Sequence, residues 1–254
     1  MSKPDESGSV VTSVAALPVL GVAALGYVAG MLPSAEIVAA GLDPRGAGSG
    51  NPGAANIASL LGKRAGATVF GMDMGKAVVA GQVGRAVAGG PGANVAACAA
   101  VLGHCFPANR GFLGGKGVAA SFGQMLATFP AYLPVDIALG VVATKSDFWK
   151  AKPVATIGVT CGLWTLLATV WTKHRLPNAW APAAGCSMPV AAAVASAAII
   201  YRFAAEAPRT PPADADVGSS NNRGLGCSEE DCAASKEQER PEQRGNNRAM
   251  PRGF

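Results

Sequence analysis

Apolar residues come along this chain in long blocks separated by short clusters of Gly, Pro and charge. No charged residue occurs from Ser7 to Ala35, a stretch longer than the ~20 apolar residues that cross a bilayer as a helix. The pattern predicts a first helix over Val10 to Leu32. A second apolar block, Ala65 to Gly84, is interrupted by Asp73 and Lys76. A third follows the Gly89-Gly90-Pro91-Gly92 turn as far as Leu102 or Phe106, so the two should form a tight helical hairpin. Between Gly117 and Thr144 the only charge is Asp136, and Pro130 and Pro134 divide this region into one kinked helix or two short ones. Val154 to Thr172 and Asn178 to Tyr201 supply two more apolar segments.

The reading is therefore an all-α, polytopic membrane helical bundle of seven spans, with six as the alternative. Residues 1–9 form a short leader, 10–204 the membrane domain and 205–254 a polar, disordered tail rich in Pro, Ser, Asn, Arg and Glu that cannot bury a core. A cleaved signal peptide fits poorly, because the leader with Lys3, Asp5 and Glu6 is not basic and the apolar run is too long. Composition agrees with a membrane bundle: 50% hydrophobic, 15% charged and 33 glycines among 254 residues, so small side chains let helices approach closely in lipid.

Charge adds orientation. Seven spans with the N-terminus outside leave Arg45, Lys63, Arg64, Arg110, Lys116, Lys145, Lys150, Lys152, Arg202 and Arg209 on inner loops, against Lys3, Arg85, Lys173 and Arg175 outside. The Lys173-His174-Arg175 cluster opposes this arrangement. These cations stand at the ends of apolar runs rather than in patches interleaved with aromatics, which argues against a nucleic-acid partner. Of the six cysteines, Cys98, Cys105, Cys161 and Cys186 read as small apolar fillers; Cys227 and Cys232 have no assigned task. Neither a close CxxC pair nor His at ligand spacing points to a metal.

Three clusters carry chemistry. The first, Asp43-Pro44-Arg45-Gly46-Ala47 followed by Gly48-Ser49-Gly50-Asn51-Pro52-Gly53-Ala54-Ala55-Asn56, is dense in turn formers. Its glycines let backbone amides converge on an anion, Ser49 and Asn51 can donate hydrogen bonds, and Arg45 can fork onto phosphate oxygens. Gly48, Gly50 and Gly53 satisfy GxGxxG, but the strand that a dinucleotide fold requires before it is missing. Asp73 and Lys76 form the second cluster, on one face of an apolar helix. Ionisable groups there are costly and usually functional. They are either a self-neutralising ion pair or, the reading preferred here, a lysine aimed at phosphate.

The third cluster is Gly103-His104-Cys105-Phe106-Pro107, then Arg110-Gly111-Phe112-Leu113 and Gly114-Gly115-Lys116-Gly117-Val118-Ala119. Gly114, Gly115, Lys116 and the start of the next helix bring a flexible backbone, a cation and a positive dipole end together as a second phosphate grip. The upstream Gly and the following Ser or Thr of a Walker loop are absent, which speaks against an NTPase. His104 is a candidate general acid or base, or a plain hydrogen-bonding partner.

In order and between spans, D-x-R-x-x-GSGNPGA-x-N, G-x-D-x-x-K, GHxFP and F-x-GGKGVA resemble the bacterial membrane acyl-phosphate:glycerol-3-phosphate acyltransferase family over approximately Leu42 to Ser121. The resemblance implies a seven-span protein of the cell membrane, its active-site loops cytoplasmic, that moves a fatty acyl group from acyl phosphate to glycerol 3-phosphate. The products would be 1-acylglycerol 3-phosphate (lysophosphatidic acid) and phosphate, formed without a metal or cofactor. His104 and Lys116 are then the catalytic candidates, and Arg45, Ser49, Gly50, Asn51, Gly53, Asn56, Asp73, Lys76, Gly114 and Gly115 the substrate-binding ones.

The chain departs from the family pattern at Ala55 (usually Thr), Leu113 (usually basic) and the turn Lys145-Ser146-Asp147-Phe148 (usually Ser-rich). It departs again after Tyr201-Arg202, where Phe203-Ala204-Ala205-Glu206 replaces a segment with His and Asn. The altered segment after Arg202 keeps open a noncatalytic relative that binds phosphate-bearing lipids; cations near the midplane and broken helices would also suit a transporter for a phosphate-bearing solute, but the internal repeats expected of one are not seen in the sequence.

Overall fold

The computed structural model describes residues 6–180 and 185–206, with side chains from residue 17 onward. Most of the leader and all but the first two residues of the polar tail, with Cys227 and Cys232, lie outside the described residues. Every regular element among the described residues is helical.

Helix α1 (Glu6–Gly30) is followed by the short α2 (Ser34–Ala39), α3 (Ala54–Leu61) and the long α4 (Lys63–Cys105). The expected hairpin is present inside α4: Ala88 and Gly89 leave helical geometry, Gly89 at φ +63°, and the two arms fold back on each other. Gly84 lies against the Gly92 backbone and Gly81 against Ala97, an antiparallel pairing that side chains any larger would prevent. Helix α1 packs on the second arm by the same device. A Cβ on Gly26 would strike the Ala96 carbonyl, and one on Gly30 the Ala100 carbonyl.

The region after the hairpin is two short helices, α5 (Val118–Thr128) and α6 (Leu133–Lys145), separated by a 3-10 turn at Pro130–Tyr132. One turn further on, α7 (Asp147–Lys150) leads into α8 (Pro153–Lys173), and α9 (Ser187–Ala205) closes the described chain. The last helix begins nine residues later than the apolar run from Asn178 suggested. Asn178 Nδ2 donates to the Thr128 carbonyl and Trp180 Nε1 to the Leu126 carbonyl, while Arg85 Nη2 donates to Ala127. These bonds satisfy the carbonyls that the end of α5 leaves without helical partners, so residues 178–180 dock on α5 instead of starting a helix.

Among the described residues, four helical segments are long and apolar enough to cross a membrane: Leu17–Ala39, Lys63–Arg110, Pro153–Lys173 and Ser187–Ala205. The second of these, 48 residues long, contains both arms of the hairpin, and ~20 residues suffice for one crossing.

Burial is inverted relative to a water-soluble bundle. Leu20, Leu25, Val79, Val83, Val141, Val159, Leu166, Val190 and Tyr201 face outward, while Ala77, Ala96, Ala97, Ala100, Ala120, Ala195 and several polar side chains are buried. Such an apolar exterior suits lipid. The larger core residues Phe129, Tyr132, Trp164 and Ile199 pack with Val101 and Cys105 where α5, α8, α9 and the second arm of α4 meet. Cys98, Cys105 and Cys161 are buried as expected, but Cys186 is exposed, because it precedes α9 in the connection rather than lying inside a span.

Candidate active site

The first glycine-rich loop is folded by Asn56. Its Oδ1 accepts from the Ser49 N–H at 2.8 Å and its Nδ2 donates to the carbonyls of Pro44 and Ala47 at 2.8 and 3.1 Å. Asn56 is 4% exposed, so these bonds satisfy a side chain that would be costly to bury unpaired. Gly48 (φ +61°) comes so close to Asn56 Oδ1 that a Cβ there would collide with it. The N–H groups of Gly50 and Gly53 are used inside the loop as well, bonding to the Ala47 and Asn51 carbonyls.

The second loop folds back on the end of α4. Gly114 N–H bonds to the Cys105 carbonyl and Gly115 N–H to that of His104. Arg202, from the last turn of α9, closes the loop from the other side: Nη2 donates to Gly114 O at 2.6 Å and Nε to Gly115 O at 3.3 Å. Arg45 Nη2 donates to Leu113 O at 2.6 Å, which ties the two loops together.

Between the loops lie the groups contributed by α4. Asp73 Oδ1 stands 2.9 Å from Lys76 Nζ and 3.4 Å from His104 Nδ1, with all three residues buried. Hairpin folding brings Asp73 and His104 together from opposite arms. His104 Nε2 presses on Gly115, where a Cβ would clash.

Two cavities meet at this pair. The larger, about 400 Å³, is lined by Ser49, Asn51, Gly53, Ala54, Ala55, Asn56, Phe70, Lys116, Gly117, Val118, Ala119 and Phe203; a smaller one of about 20 Å³ is lined by Glu36, Arg45, Arg110, Gly114 and Gly115 among others. Asp73 and His104 line both. Helices α3 and α5 both start at the larger cavity, at Gly53–Ala55 and Gly117–Ala119, and neither start has a side-chain cap. Their first N–H groups and positive dipole ends therefore favour an anion there.

Most of the residues expected from the sequence converge. Ser49, Asn51, Gly53, Asn56, Asp73, His104 and Lys116 line the larger cavity, and Arg45, Gly114 and Gly115 the smaller. Gly50 and Lys76 line neither. The preferred expectation for Lys76 changes accordingly: its ammonium is held by Asp73 and by the Leu32 carbonyl at 3.2 Å, the arrangement of a buried ion pair. The loop amides of Ser49, Gly50 and Gly53 are likewise spent on loop geometry, so the helix starts, rather than those amides, are the backbone groups facing the cavity.

Sequence reasoning missed Glu206. Its carboxylate lies 2.6 Å from Arg202 Nη2 and 3.4 Å from Lys116 Nζ, and it accepts from Asn51 Nδ2 at 3.2 Å. The one signal was the i,i+4 spacing of Arg202 and Glu206 across the end of the last apolar segment.

Residues 20–210 match the family model described as glycerol-3-phosphate acyltransferase. A glycerol-3-phosphate acyltransferase of a Thermoanaerobacter species is 38% identical over 135 residues, which cover 53% of this chain and 67% of that protein. Another, from an Anaeromyxobacter species, is 37% identical over 171 residues, 62% of this chain and 80% of that one. The enzyme of that name from Rubrobacter xylanophilus is 45% identical over 141 residues, 52% and 69% of the two chains. Among solved structures, the integral membrane glycerol 3-phosphate acyltransferase PlsY in its glycerol 3-phosphate form superposes with a TM-score of 0.59 at 26% identity, covering 74% of this chain and 88% of that one. Its lysophosphatidic acid form gives 0.58 at 27% identity, covering 73% and 87%. With the matching family model extending from α1 to beyond α9, the chain belongs to the glycerol-3-phosphate acyltransferase family.

Proposed function

We propose that this protein transfers a fatty acyl group from acyl phosphate to glycerol 3-phosphate, in the cell membrane, with its glycine-rich loops on the cytoplasmic side, the N-terminus outside and seven crossings. The crossings are α1, the two arms of α4, α8, α9 and two shorter ones, α5 and α6, whose 11 and 13 residues each fall below the ~20 of a full span. The observation that carries the reaction is the meeting of two uncapped helix starts, Lys116 and the Asp73–His104 pair on one cavity. Both substrates bear phosphate, and both would be drawn to such a positive, partly enclosed site.

In this reading the acceptor hydroxyl attacks the acyl carbonyl carbon, the bond from that carbon to the phosphate oxygen breaks, and phosphate leaves with the bonding electrons. The hydroxyl proton passes to His104 or to a phosphate oxygen. Asp73 beside Nδ1 orients the imidazole and stabilises it when protonated, the role of the carboxylate in other His–Asp pairs. Lys116 and the helix starts offset the charge that builds on the carbonyl and phosphate oxygens, an effect strongest where water is excluded. Of the four buried side-chain polar atoms that lack partners among the described residues, two belong to residues lining these cavities, Arg45 Nε at the smaller and Asn51 Oδ1 at the larger. One is a donor suited to a phosphate oxygen and the other an acceptor suited to a hydroxyl of the acceptor substrate. An acyl phosphate already has a good leaving group, so no covalent enzyme intermediate is needed.

The test is release of phosphate and formation of acylglycerol phosphate by the detergent-purified protein supplied with palmitoyl phosphate and glycerol 3-phosphate. Turnover by the native chain that is lost in Lys116→Ala is expected. Equal turnover by both would remove Lys116 from the reaction, and none by the native protein would contradict the proposal itself.

A further inference from the structure

Two side-chain donors that face the larger cavity, Lys116 and Asn51, are already engaged by an anion belonging to the chain itself. Glu206 follows the last turn of α9, where Arg202 fixes one carboxylate oxygen, Oε1, at 2.6 Å. Arg202 is only 7% exposed and is itself anchored on the Gly114 and Gly115 carbonyls, so the carboxylate is held in place rather than swinging in solvent. The second oxygen, Oε2, stands 3.4 Å from Lys116 Nζ and accepts from Asn51 Nδ2 at 3.2 Å. Lys116 and Asn51 both line the cavity. Phe203, one turn before Glu206, places its ring 4.9 Å from the same ammonium and shields another side of it.

We propose that Glu206 is a specificity-determining residue: an internal carboxylate that competes with substrate phosphate for Lys116 and Asn51, and so sets how tightly the site holds a phosphate group. A dianionic phosphate entering the cavity must either displace Oε2 from the lysine or sit beside a like charge, and both weaken binding. Inorganic phosphate, with no acyl chain or glycerol to add contacts, loses most. A substrate phosphate keeps the rest of its contacts. The inference rests on the acyltransferase reading only in taking the larger cavity as a phosphate site.

Calorimetric titration of inorganic phosphate and of glycerol 3-phosphate into the detergent-purified full chain tests it. Native protein is compared with Glu206→Gln, which keeps the shape, and Glu206→Asn, which keeps an amide but withdraws it from Lys116. Removing a like charge a few ångströms from a bound dianion is expected to tighten phosphate binding by about tenfold or more. In a Lys116→Ala background the gain from Glu206→Gln should shrink, because competition for the lysine is gone and only the repulsion between the carboxylate and the phosphate remains. Unchanged or weaker phosphate binding in both Glu206 variants overturns the inference and leaves Glu206 as a tie for the end of α9. Should no form bind phosphate while the native chain still makes acylglycerol phosphate, the inference fails and the acyltransferase reading stands. Absence of both would overturn the two together.

Discussion

Asp73 Oδ1 and His104 Nδ1 lie 3.4 Å apart although 31 positions separate them along the chain; the fold at Ala88 and Gly89 brings them together from opposite arms of α4. The same carboxylate holds Lys76. One buried acid thus joins the histidine that faces both cavities to the ion pair that neutralises the hairpin.

His104→Ala is expected to lower kcat by about 10²–10⁴-fold, the usual contribution of a positioned general base, with a smaller change in KM for glycerol 3-phosphate. Steady-state kinetics at saturating palmitoyl phosphate separate the two parameters. A loss confined to KM would make His104 a binding group instead.

Lys76→Met breaks a buried ion pair and takes the lysine cation from beside the Asp73 carboxylate, which keeps the His104 imidazole; breaking such a pair typically costs about 3–5 kcal/mol. A lower thermal midpoint in detergent is therefore expected, with the affinity of any protein that remains folded for phosphate close to native. Native stability with lost phosphate affinity would restore Lys76 as a phosphate ligand.

Gly115→Ala introduces a Cβ where His104 Nε2 lies. The imidazole must move, and a displacement of about 1 Å in a catalytic group can cost roughly 100-fold in rate. Activity should fall by that order while the protein still elutes as the native species on size exclusion.

Asn56→Ala leaves the Ser49 N–H and the Pro44 and Ala47 carbonyls without their partner. The Pro44 carbonyl is the buried one of the three, and an unsatisfied buried group costs about 1–3 kcal/mol, so the first loop should loosen. Faster proteolysis within residues 43–53 and a raised KM are expected, with Asn56→Asp recovering only the bond that Oδ1 accepts.

Much of this arrangement was legible in the sequence. Gly89-Gly90-Pro91-Gly92 announced the hairpin, Pro130 and Pro134 the break between α5 and α6, and the spacing of Gly, Ser, Asn, His and Lys the two loops that meet at the cavity. What was not legible depends on tertiary partners. Whether Lys76 reaches phosphate or Asp73 turns on which way two arms of a hairpin face, and the Ser49 amide reads as an anion donor until Asn56 is seen to occupy it. Asn178 and Trp180 looked like part of an apolar span because their role, closing the end of α5, exists only once α5 is beside them. Glu206 was assigned to a polar tail by composition, yet helical geometry carries it one turn past Arg202 and onto Lys116.

The most direct test of the account follows phosphorus by NMR as the purified protein in detergent micelles acts on palmitoyl phosphate and glycerol 3-phosphate. The acyl phosphate signal should fall as inorganic phosphate and lysophosphatidic acid rise in equal amounts, with no such change for Lys116→Ala. Phosphate rising without lysophosphatidic acid, or lysophosphatidic acid forming equally well in the variant, would contradict it.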